Sequence, residues 1–262
     1  MPINPIVTAL REGRPVIGTM LIQERAPAII QLFAEFGLEY VFIDMEHGPY
    51  NLETAADLIQ VARLAGITPL VRVGEVQYTL YSRVLDAGAQ GIMTPRVETV
   101  EQVRDVIRYT RYPPLGERGL SRLSGHANYA DFDVPAFVRE ANDNLLNIIQ
   151  IESITAVNRI EELISVPGVG GVIVGMDDLS LSLGVPGDTR HPSCEAALER
   201  IVAACQAAGM PWGLHIPDVE RLEKWMRRGM LLCTFSADVW MLQGVLRDAM
   251  PRLRASAAGL SR

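Results

Sequence analysis

The chain repeats one hydrophobic pattern: an amphipathic stretch, a glycine, then a short apolar run. Ala28, Ile29, Leu32, Phe33 and Phe36 share a helical face that stops at Gly37, and YVFID follows. Asn51 then caps a predicted helix carrying Leu52, Ala55, Ala56, Ile59 and Ala62, which ends at Ala65-Gly66 before PLVRV. The unit recurs with Ala87-Gly88 before GIMTP, and with Thr99 and Gln102 as a capping box for a helix bearing Val103, Ile107 and Thr110. Farther on come LNIIQIE, a helix from Ser153 with Val157, Ile160 and Ile164, then GVIVG, WGLHI after Ala208-Gly209, and LLCTFS after Arg228-Gly229.

With PVIGTML at the start, these runs number eight, and they show little alternation, as strands do when helices bury both faces of a parallel sheet. Eight such units in about 250 residues predict a (β/α)8 barrel. The rival, an open doubly wound sheet, lacks its G-x-G-x-x-G signature after the first strand. No Pro/Ser/Gly-rich tract divides the chain, so residues 1–262 are expected to form one domain. The polar, strand-poor stretch from Tyr112 to Val134 is expected to be a long functional loop.

Composition narrows the partners. A net charge of -7 with no basic run argues against nucleic acid, and 48% hydrophobic residues suffice for one large core. No uncharged apolar run is long enough to span a bilayer, and MPINPIVTALREGRP does not read as a signal peptide, so a cytoplasmic location without membrane attachment is expected. Cys194, Cys205 and Cys233 are widely spaced and read as structural thiols; His191 with Cys194 is two ligands short of a zinc site.

Barrel enzymes place their chemistry at the carboxyl ends of the strands. Asp44 and His47 leave the second strand, Arg72 ends the third, Gln150 and Glu152 end the fifth, and Asp177 and Asp178 follow the sixth. Taken singly, each has a structural reading: a carboxylate after a strand caps a helix, an arginine pairs with an acid, and a loop histidine is satisfied locally. Convergence of four strand ends on one rim favours a site. The only lysine, Lys224, lies in RLEKWMRR and not at a strand end, which disfavours Schiff-base chemistry. A carbanion beside a carbonyl would then need a divalent cation, for which Glu152 and Asp178 are suitable hard oxygen donors toward Mg²⁺ or Mn²⁺.

DMEHGPYN, PLVRV, VLDAGAQGIMTPRVET, RYPPLGERG, IIQIES and VGMDDLSLSLG, in this order over nearly the whole chain, resemble the HpcH/HpaI aldolase family of metal-dependent pyruvate aldolases. The resemblance implies a barrel that holds pyruvate or another 2-oxo acid as its enolate on a divalent metal (Mg²⁺, Mn²⁺ or Co²⁺) and joins it to an aldehyde. It also implies a homo-oligomer, hexamer or trimer, with the last helix exchanged between subunits. By that resemblance Glu152 and Asp178 ligate the metal, Arg72 and Gln150 contact the oxo acid, and the backbone of Gly175, Met176 and Asp177 holds its carboxylate. His47, oriented by Asp44 and supported by Asp86 from the neighbouring strand or subunit, moves the hydroxyl proton. Asp177 departs from the family pattern, which has a small residue or Asn before the metal-binding Asp. His126 and His215 also lie outside the pattern. An oxaloacetate decarboxylase or enolate-condensing synthase on the same barrel is the alternative.

Overall fold

The computed structural model describes residues 3–260. Eight parallel strands, β1 (Val16–Leu21), β2 (Tyr40–Asp44), β3 (Thr68–Arg72), β4 (Gly91–Thr94), β5 (Leu146–Ile151), β6 (Gly171–Val174), β7 (Trp212–Ile216) and β8 (Leu232–Ala237), close into a barrel in sequence order. Each coincides with one of the apolar runs. Closure comes from β1 beside β8, where Val16 pairs with Leu232 and the register shifts between Gly18 and Met20.

Around the barrel run α1 (Pro5–Arg11), α2 (Ala28–Glu35), α3 (Leu52–Leu64), α4 (Tyr78–Ala87), α5 (Val100–Thr110), α6 (Val134–Asn144), α7 (Ile154–Asn158), α8 (Ile160–Ile164), α9 (Met176–Ser182), α10 (Pro192–Ala208), α11 (Val219–Met226) and α12 (Asp238–Leu260). The Asn51 cap and the Thr99–Gln102 capping box are formed as their sequences predict. The helix expected from Ser153 is instead two short helices, broken at Arg159, whose φ of -115° and ψ of 13° leave the helical region. The expected loop from Tyr112 to Val134 contains a 3₁₀ turn at Gly125–Ala127 and ends at Asp133, which caps α6.

Inside the barrel Met20, Tyr40, Phe42, Leu70, Met93, Ile148, Ile173 and Leu232 form one cluster, joined by Ile6, Val7 and Leu10 of α1. The Asn4 side chain donates to the carbonyl of Gln90, just before β4, so α1 covers the amino-terminal end of the barrel and leaves the carboxyl end open. Gly213 is required where β7 meets β8: a Cβ there would overlap the backbone of Leu232. Among the described residues no helix is long and apolar enough to cross a membrane.

Candidate active site

A cavity of about 250 Å³ opens at the carboxyl rim, lined by His47, Arg72, Gln150, Gly175, Met176, Asp177 and Asp178 together with Met20, Met93, His215 and Trp240. Strand register puts Asp44 directly across from Arg72 on the neighbouring strand. Arg72 Nε donates to Asp44 Oδ1 at 2.8 Å and Nη2 donates to Oδ2 at 2.6 Å, a two-pronged pair in which Asp44 is 0% exposed. Burial alone would raise the Asp44 carboxyl, but the hydrogen bonds and charge of Arg72 outweigh it and hold the group below its ordinary value. The same contacts hold Arg72 above its own ordinary value, although burial opposes this. With Nε and Nη2 committed to Asp44, Nη1 remains for a ligand.

Asp44 also shapes the loop after β2, since its Oδ1 accepts the backbone N–H groups of Glu46 and His47 at 3.0 and 3.3 Å. It therefore fixes the backbone of His47, whereas the resemblance implied that it orients the imidazole. The His47 side chain is 54% exposed, with Nε2 at 3.8 Å from Glu46 Oε2. Glu46, to which the sequence assigned no role, is mostly buried, lies 3.4 Å from Arg72 Nε and 3.6 Å from Arg96 Nε, and has its carboxyl raised chiefly by burial.

Glu152 is buried beside the lining residue Gln150: its Oε1 accepts the Arg96 backbone N–H at 2.7 Å, and Gln150 Nε2 donates to Oε2. Burial, with added repulsion from Asp178 and Glu46, pushes the Glu152 carboxyl up to about 7 against the opposing pull of its hydrogen bonds. Asp178 is half-buried and Asp177 exposed, both in the first turn of α9. Gly175 keeps this corner open: a Cβ would come within 2.8 Å of Gln150 Nε2 and also meet Glu152 Oε2. The Gln150 Oε1 atom is buried without a hydrogen bond.

This donor set fits a hard divalent cation. Among the described residues no group of three or more His, Cys, Asp or Glu side chains is placed to hold a metal, so a closed zinc-type site is not formed. Two repelling carboxylates beside an open corner and an unpartnered amide oxygen match an ion that takes most of its ligands from water and substrate.

Asp86 does not join the cavity. It lies near the end of α4 that leads to the amino end of β4, where Arg118 Nη2 donates to it at 2.7 Å and His126 Nδ1 lies at 3.4 Å. Support of His47 by Asp86 within one chain is therefore excluded by position. Burial would raise its carboxyl, but these two partners lower it. Lys224 is exposed on α11, its Nζ 5.3 Å from the Trp225 ring centre. His215, at the end of β7, stacks on Trp240 with ring centres 4.8 Å apart and planes 8° apart, and its Nε2 lies 2.9 Å from the carbonyl of Ser236. Burial lowers the imidazole to about 4, with Arg72 adding to the effect and the Ser236 bond opposing it.

The HpcH/HpaI aldolase/citrate lyase profile matches residues 19–243. The chain belongs to this family. The HpcH/HpaI match spans every cavity residue named above, from Met20 to Trp240. A 2-keto-3-deoxy-L-rhamnonate aldolase of Klebsiella pneumoniae is 32% identical, with 97% of this chain and 95% of the relative aligned. A hydroxypyruvate/pyruvate aldolase of Paraburkholderia phytofirmans is 33% identical over 96% of this chain and 98% of its own. The crystal structure of an HpcH/HpaI aldolase from Desulfitobacterium hafniense superposes with a TM-score of 0.91 at 34% identity, covering 94% of this chain and 95% of that one.

Proposed function

We propose that this HpcH/HpaI family member is a divalent-metal-dependent aldolase that cleaves or forms 4-hydroxy-2-oxo acids from pyruvate, or a related 2-oxo acid, and an aldehyde. The observation that carries the reading is one cavity lined by Arg72, Gln150 and Asp178, with Glu152 hydrogen-bonded to Gln150 and repelled by Asp178, while the only lysine is exposed on α11. The 2-keto-3-deoxy acid and pyruvate named for the two relatives agree with it.

Glu152 and Asp178 would hold the cation, which when bound supplies Lewis-acid polarisation of the 2-oxo group. Arg72, kept charged and immobile by Asp44, stabilises the negative charge that develops on the oxo oxygen. Gln150 lies beside the same ligand, and the backbone of Gly175, Met176 and Asp177 faces its carboxylate. In cleavage the C3–C4 bond breaks, its electron pair passes toward the oxo oxygen, and the 4-hydroxyl proton goes to His47, directly or through water. No part in its own chain's chemistry is proposed for Asp86.

The exposed imidazole of His47, unpaired with Asp44, favours one alternative: oxaloacetate decarboxylation or enolate condensation, which use the same metal corner and Arg72 but need no hydroxyl base. The deciding assay incubates the protein with Mg²⁺, Mn²⁺ or Co²⁺, pyruvate and a panel of aldehydes, and follows new hydroxy-oxo acids beside oxaloacetate loss. Chelation is expected to abolish turnover and added metal to restore it. Covalent trapping of pyruvate on Lys224 by borohydride would refute the mechanism.

A further inference from the structure

Part of the cavity lining comes from β1 and the residue after it, from β7 and from the start of α12. This part is the apolar Met20, Ile22 and Trp240, with His215 placed among them. The position of His215 is fixed from two directions. Its ring lies flat on the Trp240 indole, and one ring nitrogen points at the Ser236 carbonyl. That carbonyl is itself held in place, since it also accepts the Thr19 hydroxyl at 3.3 Å and Ser236 adopts a φ of 54°. A carbonyl has no proton to give, so Nε2 carries the hydrogen and Nδ1 is left with an unshared pair. Among the described residues no donor reaches Nδ1, and it is not one of the polar atoms sealed off without a partner.

An acceptor held rigidly in an otherwise apolar wall has a defined use. We propose that His215 is a specificity-determining residue whose Nδ1 accepts a hydrogen bond from a substrate hydroxyl, so that the cavity selects hydroxylated substrates over their deoxy analogues. The inference rests on the aldolase reading and adds the substrate class to it. A site built to bond a hydroxyl disfavours the analogue that lacks it, because the acceptor is then stripped of water and left unpaired. The flat indole beside it suits the C–H face of a polyol chain. The imidazole stays neutral at ordinary pH, in keeping with the acceptor role.

Two substitutions separate the two ring nitrogens. His215→Gln places an amide where Nε2 stands, keeping the donor to Ser236 while removing the acceptor. His215→Asn places its amide at the Nδ1 position, keeping an acceptor while losing the Ser236 bond. For the full-length, metal-loaded protein, kcat/KM is compared for hydroxypyruvate against pyruvate with one aldehyde, and for glycolaldehyde against acetaldehyde with pyruvate. The arm that responds identifies whether the hydroxyl belongs to the oxo acid or to the aldehyde.

The expected result is a fall of about 10-fold in hydroxyl preference for His215→Gln in one arm, with most of it kept in His215→Asn. An unchanged ratio in His215→Gln, or an equal fall in both variants, would overturn the proposal; thermal unfolding of each variant confirms that it is folded. If no pair yields a carbon–carbon bond, the aldolase reading fails. The role of His215 is then judged on calorimetric binding of hydroxypyruvate against pyruvate, where equal loss of both ligands in His215→Gln rejects it.

Discussion

At the scale of single residues the site depends on Asp44, which contributes nothing to the cavity surface yet sets the charge and direction of Arg72. Replacing Asp44 by Asn removes the two-pronged counter-charge of a buried guanidinium and leaves Glu46, 3.4 Å from Nε, as its remaining ion-pair partner, so about 3 kcal/mol of stability should be lost at pH 7 in urea unfolding. The pH dependence follows from the lowered Asp44 carboxyl: its contribution is complete above the ordinary value near 3.8 and disappears as pH falls below it. Wild type should therefore lose stability on acidification through that window more steeply than Asp44→Asn; parallel curves would mean the pair contributes no linkage. For His47→Ala, cleavage should fall about 10²- to 10⁴-fold, while deuterium exchange into pyruvate, which relies on the metal and Arg72, falls less. Equal losses would assign His47 to binding instead. Strand-end spacing made Asp44, His47, Arg72, Gln150, Glu152, Asp177 and Asp178 legible in the sequence, because each leaves or follows an apolar run. Glu46 and His215 were not, since a loop acid beside a histidine and a histidine inside WGLHI look the same whether they face a cavity or a neighbour.

Elements were legible where local chemistry decides them. The continuous apolar runs and the Asn51 and Thr99 caps gave boundaries close to the observed ones, because burial on both faces and cap bonding are written in adjacent residues. The break at Arg159 was not, since the apolar stripe of Val157, Ile160 and Ile164 continues across it into one buried cluster. The contrast between local and tertiary control is testable. Thr99→Ala removes one cap bond and should cost about 1 kcal/mol, a shift of about 2–4 °C in Tm for a protein of this size. Gly213→Ala changes one methyl group but drives it into the Leu232 backbone across the β7–β8 ladder, so a far larger Tm loss or failure to recover soluble protein is expected. Similar Tm values for the two variants would show that the barrel relaxes around that contact.

For the whole molecule the unresolved demand is the surface of α12. Leu242, Leu246, Met250 and Leu253 recur at helical spacing, with Val245 beside them, and all are exposed. Trp240 at the start of the helix packs on the barrel core, but the stripe beyond it meets no comparable cover among the described residues. A contiguous apolar stripe of this kind is expected to be buried by association, and the family resemblance implies a hexamer or trimer that exchanges this helix. Sequence pattern alone could not distinguish this stripe from an ordinary core-facing one, because the hydrophobic period is the same whether the covering surface belongs to the same chain or to another. The association expected of this stripe makes two linked outcomes measurable. Light scattering coupled to size exclusion should give a mass several times the monomer's, and Tm should rise with protein concentration, as it does when a folded chain is stabilised by its partners. Leu246→Glu combined with Leu253→Glu places two charges in the stripe and should reduce the assembly to smaller species with a lower, concentration-independent Tm. A wild-type protein that stays monomeric across the concentration range, or a double variant of unchanged mass, would leave α12 as an exposed helix and remove the basis for exchange.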